Sequence, residues 1–204
     1  MNVRGTLFIV SAPSGGGKTS LVNALTEQYP MVKISVSHTT RPTRAGEVEG
    51  KHYFFVDEDT FQTHAQQGNF LEFAKVFNHS YGTSKAMVQR ELEAGFDVVL
   101  DIDWQGARQI KAQMECVQIF VIPPSREVLL ARLRERKQDS EAIIAQRMIQ
   151  ASHEISHYKE YDYLIVNDNF EHALEDLKAI VQAHRLMVEK QKQQHGALLN
   201  DLLS

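Results

Sequence analysis

Thr6-Leu7-Phe8-Ile9-Val10-Ser11-Ala12-Pro13-Ser14-Gly15-Gly16-Gly17-Lys18-Thr19-Ser20 decides how this chain folds. An apolar run leads into a glycine-rich loop, then Lys-Thr, then the helical pattern Leu21-Val22-Asn23-Ala24-Leu25. The order strand, loop, helix builds a cradle for phosphate. Glycines let successive backbone N–H groups turn onto one anion, because no Cβ blocks φ > 0. The helix start adds the positive end of its dipole. The spacing assigns Lys18 to the β- and γ-phosphates of a nucleotide and the Thr19 hydroxyl to Mg²⁺. Residues 12 to 20 are therefore the nucleotide-binding candidates: Ala12, Pro13, Ser14, Gly15, Gly16, Gly17, Lys18, Thr19 and Ser20. Ala12 stands where the strict G-x-x-x-x-G-K-[ST] pattern has Gly.

Outward from this unit, apolar runs at 7–10, 98–102, 117–122 and 163–166 alternate with helical patterns. Runs apolar on both faces and separated by helices predict a buried parallel sheet flanked by helices. A single helix is expected from 170 to about 194, with a frayed end after Gly196. Two stretches break the rhythm. Residues 36–83 carry Thr, Arg, Gly and aromatics with short strand-like pieces such as Tyr53-Phe54-Phe55-Val56, and residues 132–158 are helical and dense in charge. Both read as insertions over the C-terminal edge of the sheet, where open α/β sheets bind ligands. The whole chain reads as one domain, with a core of 1–35, 84–131 and 159–204.

Composition bounds the partners. The 204 residues suit one domain with a full core, at 43% hydrophobic and 24% charged. A net charge of −4 argues against a general nucleic-acid binder. No apolar stretch reaches membrane-spanning length, and no signal segment is read at the start, so a cytoplasmic location is expected. The single cysteine, Cys116, precedes an apolar run and reads as a small buried hydrophobe.

Candidate chemistry sits in the insertions and at strand ends. Ser37-His38-Thr39-Thr40-Arg41-Pro42-Thr43-Arg44 places two arginines three apart, able to grip one phosphate, with Tyr53 and Tyr81 as phenolic donors. Alone, the same loop also reads as a solvated basic turn. Glu72 interrupts Phe70-Leu71-Glu72-Phe73. Buried, it needs a donor partner, which a nucleobase with two adjacent N–H groups would be; in a regular strand it faces water instead. Asp101 ends a strand facing the phosphate loop and suits an Mg²⁺-holding role, whereas Asp103 suits a helix N-cap. Arg132 and Arg136 share a helix face four apart, and Arg147 follows. Beside a phosphate loop, such arginines can neutralise a moving phosphoryl group from a mobile lid. His153-Glu154-Ile155-Ser156-His157 matches the zinc motif H-E-x-x-H. The motif is short, it lies in a charged segment expected to face water, and the strand-like Tyr163–Val166 and a turn separate it from Glu175 and Asp176, the carboxylates that could pose as a third ligand, so a zinc site is disfavoured.

Taken in order, the phosphate loop, Ser37-His38-Thr39-Thr40-Arg41, Arg44-Ala45-Gly46-Glu47, Tyr81-Gly82-Thr83, Asp101-Ile102-Asp103 with Gln105-Gly106, and Asn167-Asp168 resemble guanylate kinases of bacterial type. The resemblance runs from about 4 to 185. It implies a P-loop NTPase fold with a small mixed α/β acceptor-binding region at 36–83 and a helical lid at 132–158. It implies transfer of the γ-phosphoryl group of ATP to GMP, and to dGMP, with Mg²⁺. Carried over, Arg41, Arg44, Tyr53 and Tyr81 would hold the GMP phosphate. Ser37, Glu72 and Thr83 would read guanine, with Asp103 nearby. Lys18, Arg41, Arg132, Arg136 and Arg147 would serve transfer, Asn167 would lie beside adenine, and Thr19 and Asp101 would hold the metal. A homo-oligomer is compatible with the amphipathic C-terminal segment. Lys137 and Asn169 depart from the usual pattern of the family. Two rivals share the fold: a non-catalytic phosphopeptide-binding module, disfavoured by intact Lys18 and Thr19, and a kinase of a phosphorylated sugar, disfavoured by Ser37, Glu72 and Thr83. A GTPase is disfavoured because the chain has no N-K-x-D motif.

Overall fold

The computed structural model describes residues 3–76, 78–135 and 140–204. In chain order the elements are β1 (Leu7–Ser11), α1 (Lys18–Gln28), β2 (Val32–Ile34), β3 (His38–Thr39), β4 (Phe54–Phe55), α2 (Glu58–Gln66), β5 (Phe70–Val76) and β6 (His79–Ser84). There follow α3 (Lys85–Glu93), β7 (Asp97–Asp101), α4 (Trp104–Lys111), β8 (Val117–Ile122), α5 (Arg126–Glu135) and α6 (Glu141–Ser156). A 3₁₀ turn (His157–Glu160), β9 (Tyr163–Val166), α7 (Phe170–Arg185) and α8 (Val188–Leu203) complete the chain.

β1 lies in the middle of a five-stranded sheet of order β2-β7-β1-β8-β9, parallel throughout. All five β1 residues are buried, because alternate side chains enter different layers. Phe8 and Val10 join Leu21, Leu25, Leu177 and Val181 from α1 and α7 on one face. Leu7 and Ile9 join Val88, Leu92 and Ile110 from α3 and α4 on the other. Each fully buried side chain of this size contributes about 2 kcal/mol. The expected sheet is therefore present, with one difference. In β9 only Ile165 is buried, while Leu164 and Val166 are exposed. A continuous apolar run does not distinguish an edge strand from a central one.

A second sheet, of order β4-β3-β6-β5, is built entirely from residues 38–84. Its edge strand β5 is held by α4 of the core. The Gln109 side chain accepts from Phe73 N (3.2 Å) and donates to Phe73 O (3.1 Å), and Gln113 Nε2 donates to Leu71 O at 2.7 Å. Within β5 the pairing with β6 shifts register between Phe70 and Glu72. This bulge makes Phe70, Leu71 and Glu72 consecutively buried and leaves Phe73 about half exposed.

At the C-terminus the expected single helix is two. α7 ends at Arg185 and Met187 turns to an extended conformation before α8. Gln191 Nε2 donates to Arg185 O at 3.0 Å, and Lys190 Nζ donates to Arg4 O, folding α8 back on the body. No Gly or Pro marks this corner, so the apolar periodicity appeared continuous. Nor is the end frayed, since helical structure continues to Leu203, kinked by non-helical backbone at His195 (φ −115°, ψ 22°). Cys116 is half-buried against the α3–α4 layer, and burial pushes its thiol up to about 11, which makes it inert. No helix among the described residues is long and apolar enough to cross a membrane.

Candidate active site

The phosphate loop turns as its glycines require. Gly15 and Gly17 hold φ of 90° and 92°. Gly16 N donates to Pro13 O at 2.8 Å, and a Cβ on Gly16 would come within 2.9 Å of the Ala12 Cβ. Gly16 thus makes the space that lets Ala occupy position 12. Asn167, from the end of β9, braces the loop from beneath. It is buried, and its Nδ2 donates to Gly16 O at 2.9 Å. Its amide would also lie 2.3 Å from any Cβ on Gly17. The resemblance put Asn167 beside adenine; in this structure its side chain is committed to the loop.

Lys18 lies 2.6 Å from Asp101 Oδ1 and donates to Ile102 O at 2.9 Å. Thr19 Oγ1 donates to Asp101 Oδ2 at 2.7 Å. The parallel register of β1 and β7 sets Val10 opposite Asp101, which delivers the carboxylate to the loop's edge. A hydroxyl and a carboxylate this close are hard oxygen donors, the set that suits Mg²⁺, whose remaining positions go to phosphates and water.

A cavity of about 580 Å³ opens from this loop toward the second sheet. It is lined by Ala12, Pro13, Ser14, Gly15, Gly17, Lys18, Thr19 and Ser20 on one side and by Ser37, Tyr53, Glu72 and Tyr81 on the other, with Asp101 and Asp103 between. A larger cavity, about 720 Å³, lies at the opposite end of the sheet among Leu7, Leu92, Met114 and Met187, remote from the phosphate loop.

Glu72 is buried, and its Oε1 accepts from the buried Thr83 hydroxyl at 2.6 Å across the β5–β6 pair. Burial pushes its carboxyl up to about 7; Asp103 adds to the rise, while Thr83 and Lys18 oppose it. Asp103 caps α4 by accepting from Gly106 N at 2.9 Å, as its position suggested, and it also lines the cavity. Arg41 is buried, and its guanidinium lies 2.6 Å from Glu47 Oε1 and donates to Pro42 O at 2.8 Å. Its Cζ stands 5.3 Å from the Tyr53 ring, whose neighbour is Tyr81. Glu47 also accepts from Arg44 N at 2.8 Å, so one carboxylate organises the whole arginine turn. Sequence reasoning gave Glu47 no role, although its place three residues after Arg44 matches a local side-chain-to-backbone turn.

The remaining candidates stand further off. Arg44 is exposed. Arg132 on α5 donates to Asn167 O at 3.0 Å, while its Nη1 is buried without a hydrogen-bond partner. Arg147 is half-buried on α6. Arg136 and Lys137 lie outside the described residues.

In the H-E-x-x-H segment the two histidine rings pack edge to face, 5.0 Å between centroids. His157 stacks on Trp104 at 3.8 Å between centroids and His153 packs edge-on to the same ring at 5.7 Å. Glu154 turns the other way. It is half-buried in the cavity wall, accepting from Ser14 N at 3.1 Å, and burial raises its carboxyl. The expectation that this segment merely faces water fails for Glu154.

A sequence model described as guanylate kinase matches residues 4–184. The chain belongs to the guanylate kinase family. Its highly identical full-length relatives are named guanylate kinase, an ATP:GMP phosphotransferase. The guanylate kinase of Salmonella typhimurium is 55% identical over 204 residues, covering 98% of this chain and 99% of that protein. The guanylate kinase of Legionella pneumophila (strain Lens) is 55% identical over 201 residues, covering 98% and 96%. Among solved structures, guanylate kinase from Anaplasma phagocytophilum superposes with a TM-score of 0.76 at 34% identity, covering 92% of this chain and 89% of that one.

Proposed function

We propose that this chain transfers the γ-phosphoryl group of ATP to GMP and dGMP in an Mg²⁺-dependent reaction, returning guanine monophosphates to the diphosphate pool of the cytoplasm. In this reading residues 36–83 form the acceptor-binding region and 132–158 the lid. The observation that carries it is Glu72, which lines the same cavity as Lys18 and accepts from the buried Thr83 hydroxyl behind it.

The chemistry follows from charge. The acceptor is already an anion, since a phosphate monoester has a second pKa of about 6, so no general base is required. The difficulty is repulsion between two phosphate groups. Lys18 and the loop N–H groups hold the donor, Arg41 with Tyr53 and Tyr81 holds the acceptor, and Arg132 and Arg147 add positive charge from the lid side. Thr19 and Asp101 would hold Mg²⁺, which supplies further neutralisation of the phosphates when bound. Closure of the lid excludes water, the competing acceptor.

Base choice follows from hydrogen-bond direction. The Glu72 carboxylate accepts from guanine N1–H and its exocyclic amine, with Ser37 and Thr83 completing the edge. Adenine presents a lone pair at N1 and has no amine there, so the carboxylate would stay unpaired. A buried group left this way discriminates by about 10⁴.

An acceptor screen tests the reading: ATP with Mg²⁺ and each of GMP, dGMP, AMP, UMP and a ribose phosphate, following ADP release. GDP and dGDP formation with AMP and UMP near background is expected. Turnover of the sugar phosphate but not GMP overturns it.

A further inference from the structure

We infer that Gly106 is a specificity-positioning residue: the bare Cα on α4 is the floor against which the Glu72 carboxylate sits. The inference rests on the base-reading role proposed for Glu72 and deepens it. A Cβ built on Gly106 would lie 2.8 Å from Glu72 Oε2 and 3.2 Å from its Cδ, with Ile102 Cδ1 next at 3.3 Å. Contacts below 3 Å are not tolerated, so something must move.

What moves is decided by what is fixed. α4 cannot back away from β5, because Gln109 binds both backbone groups of Phe73 and Gln113 binds Leu71 O. Gln109 sits three residues after Gly106 within α4, and Gln113 lies just past the end of the helix. Gly106 is the third residue of α4, in its first turn, where glycine is less favourable than alanine. No positive φ calls for glycine at this position. Its neighbours in space are side-chain atoms rather than β5 backbone, so close strand packing does not explain it either. The atom in the way is the carboxylate tip, the flexible end of a side chain. A methyl here therefore displaces Glu72 from its 2.6 Å bond to Thr83 and turns the acceptor oxygens off the base edge. The Gly106 N–H that binds Asp103 survives the substitution, so the helix cap is kept.

The test is Gly106→Ala in the full-length enzyme, read by KM for GMP and for ATP, kcat, the GMP-over-AMP preference and Tm. KM for GMP should rise about tenfold or more, as expected for weakening hydrogen bonds to a charged acceptor, with KM for ATP within about twofold. The preference should shrink and Tm should hold or rise. Glu72→Asp withdraws the carboxylate by one methylene. Combined with Gly106→Ala it should lose less than the product of the two single losses, because the pair is coupled.

Unchanged GMP KM and preference in Gly106→Ala overturn the inference, as do strictly multiplicative losses or a fall in Tm with equal loss for both nucleotides. If Glu72→Gln abolishes the guanine preference while Gly106→Ala does not alter it, this inference fails and the proposed function stands. If the wild-type protein forms no GDP, the proposed function itself fails.

Discussion

Glu72 and Thr83 face each other on adjacent antiparallel strands, carboxylate to hydroxyl at 2.6 Å, both shielded from water. Burial holds the carboxyl near 7, so near neutrality this acceptor is only partly ionised before substrate arrives. A protonated Glu72 offers one acceptor fewer to guanine. The logarithm of kcat/KM for GMP should therefore rise with pH and break near 7, beyond the break of the substrate phosphate near about 6. Glu72→Gln should remove the upper break and reduce the preference for GMP over AMP. A profile identical to wild type would contradict the base-reading role.

The same group predicts a stability slope. Its folded pKa is raised above the unfolded value, so its favourable contribution is full below the unfolded carboxylate pKa of about 4.3 and is lost as pH rises through about 7. Glu72→Gln should thus gain Tm relative to wild type at pH 8 more than at pH 5. Thermal melts at the two pH values check the sign.

Lys18→Ala removes the loop's cation and leaves Asp101 without its 2.6 Å partner. We expect kcat to fall by about 10³, as loss of a group that stabilises transferred charge does, with GMP affinity within about threefold. Steady-state kinetics together with calorimetric GMP binding would expose a contrary result, a near-normal kcat.

Arg41→Ala should raise KM for GMP by about 10² while moving KM for ATP little. Arg41→Lys should not restore it, because lysine cannot reproduce the planar fork that reaches Glu47 and Pro42 at once. Equal effects on both substrates would misplace the acceptor site.

Thr19→Ala should raise the Mg²⁺ concentration for half-maximal rate at fixed ATP and leave the GMP preference intact. An unchanged metal titration would remove Thr19 from the ligand set.

What the sequence revealed is divided by distance along the chain. The phosphate loop was legible because its strand, glycines, Lys18 and Thr19 are contiguous and each has a local reason to be there. The parallel sheet followed from apolar runs alone. Glu72 was ambiguous because a regular strand turns Leu71 and Glu72 to opposite faces, so one of them would face water, whereas the bulge between Phe70 and Glu72 leaves both buried. Asn167 and Glu154 reach the loop from more than a hundred residues away, through contacts that no spacing encodes. The corner at Met187 hid because an apolar residue at the turn kept the helical period going.

The bulge in β5 has a bearing on how this chain can change over time. With Glu72 as the proposed reader, base recognition would be written in the length of a strand as well as in its letters. Losing Leu71 would restore an even pleat with Glu72 still opposite Thr83, yet it would take away the carbonyl by which Gln113 holds this strand, with every chemically competent side chain still present. Selectivity could then vanish through a deletion that a comparison of functional residues would score as harmless.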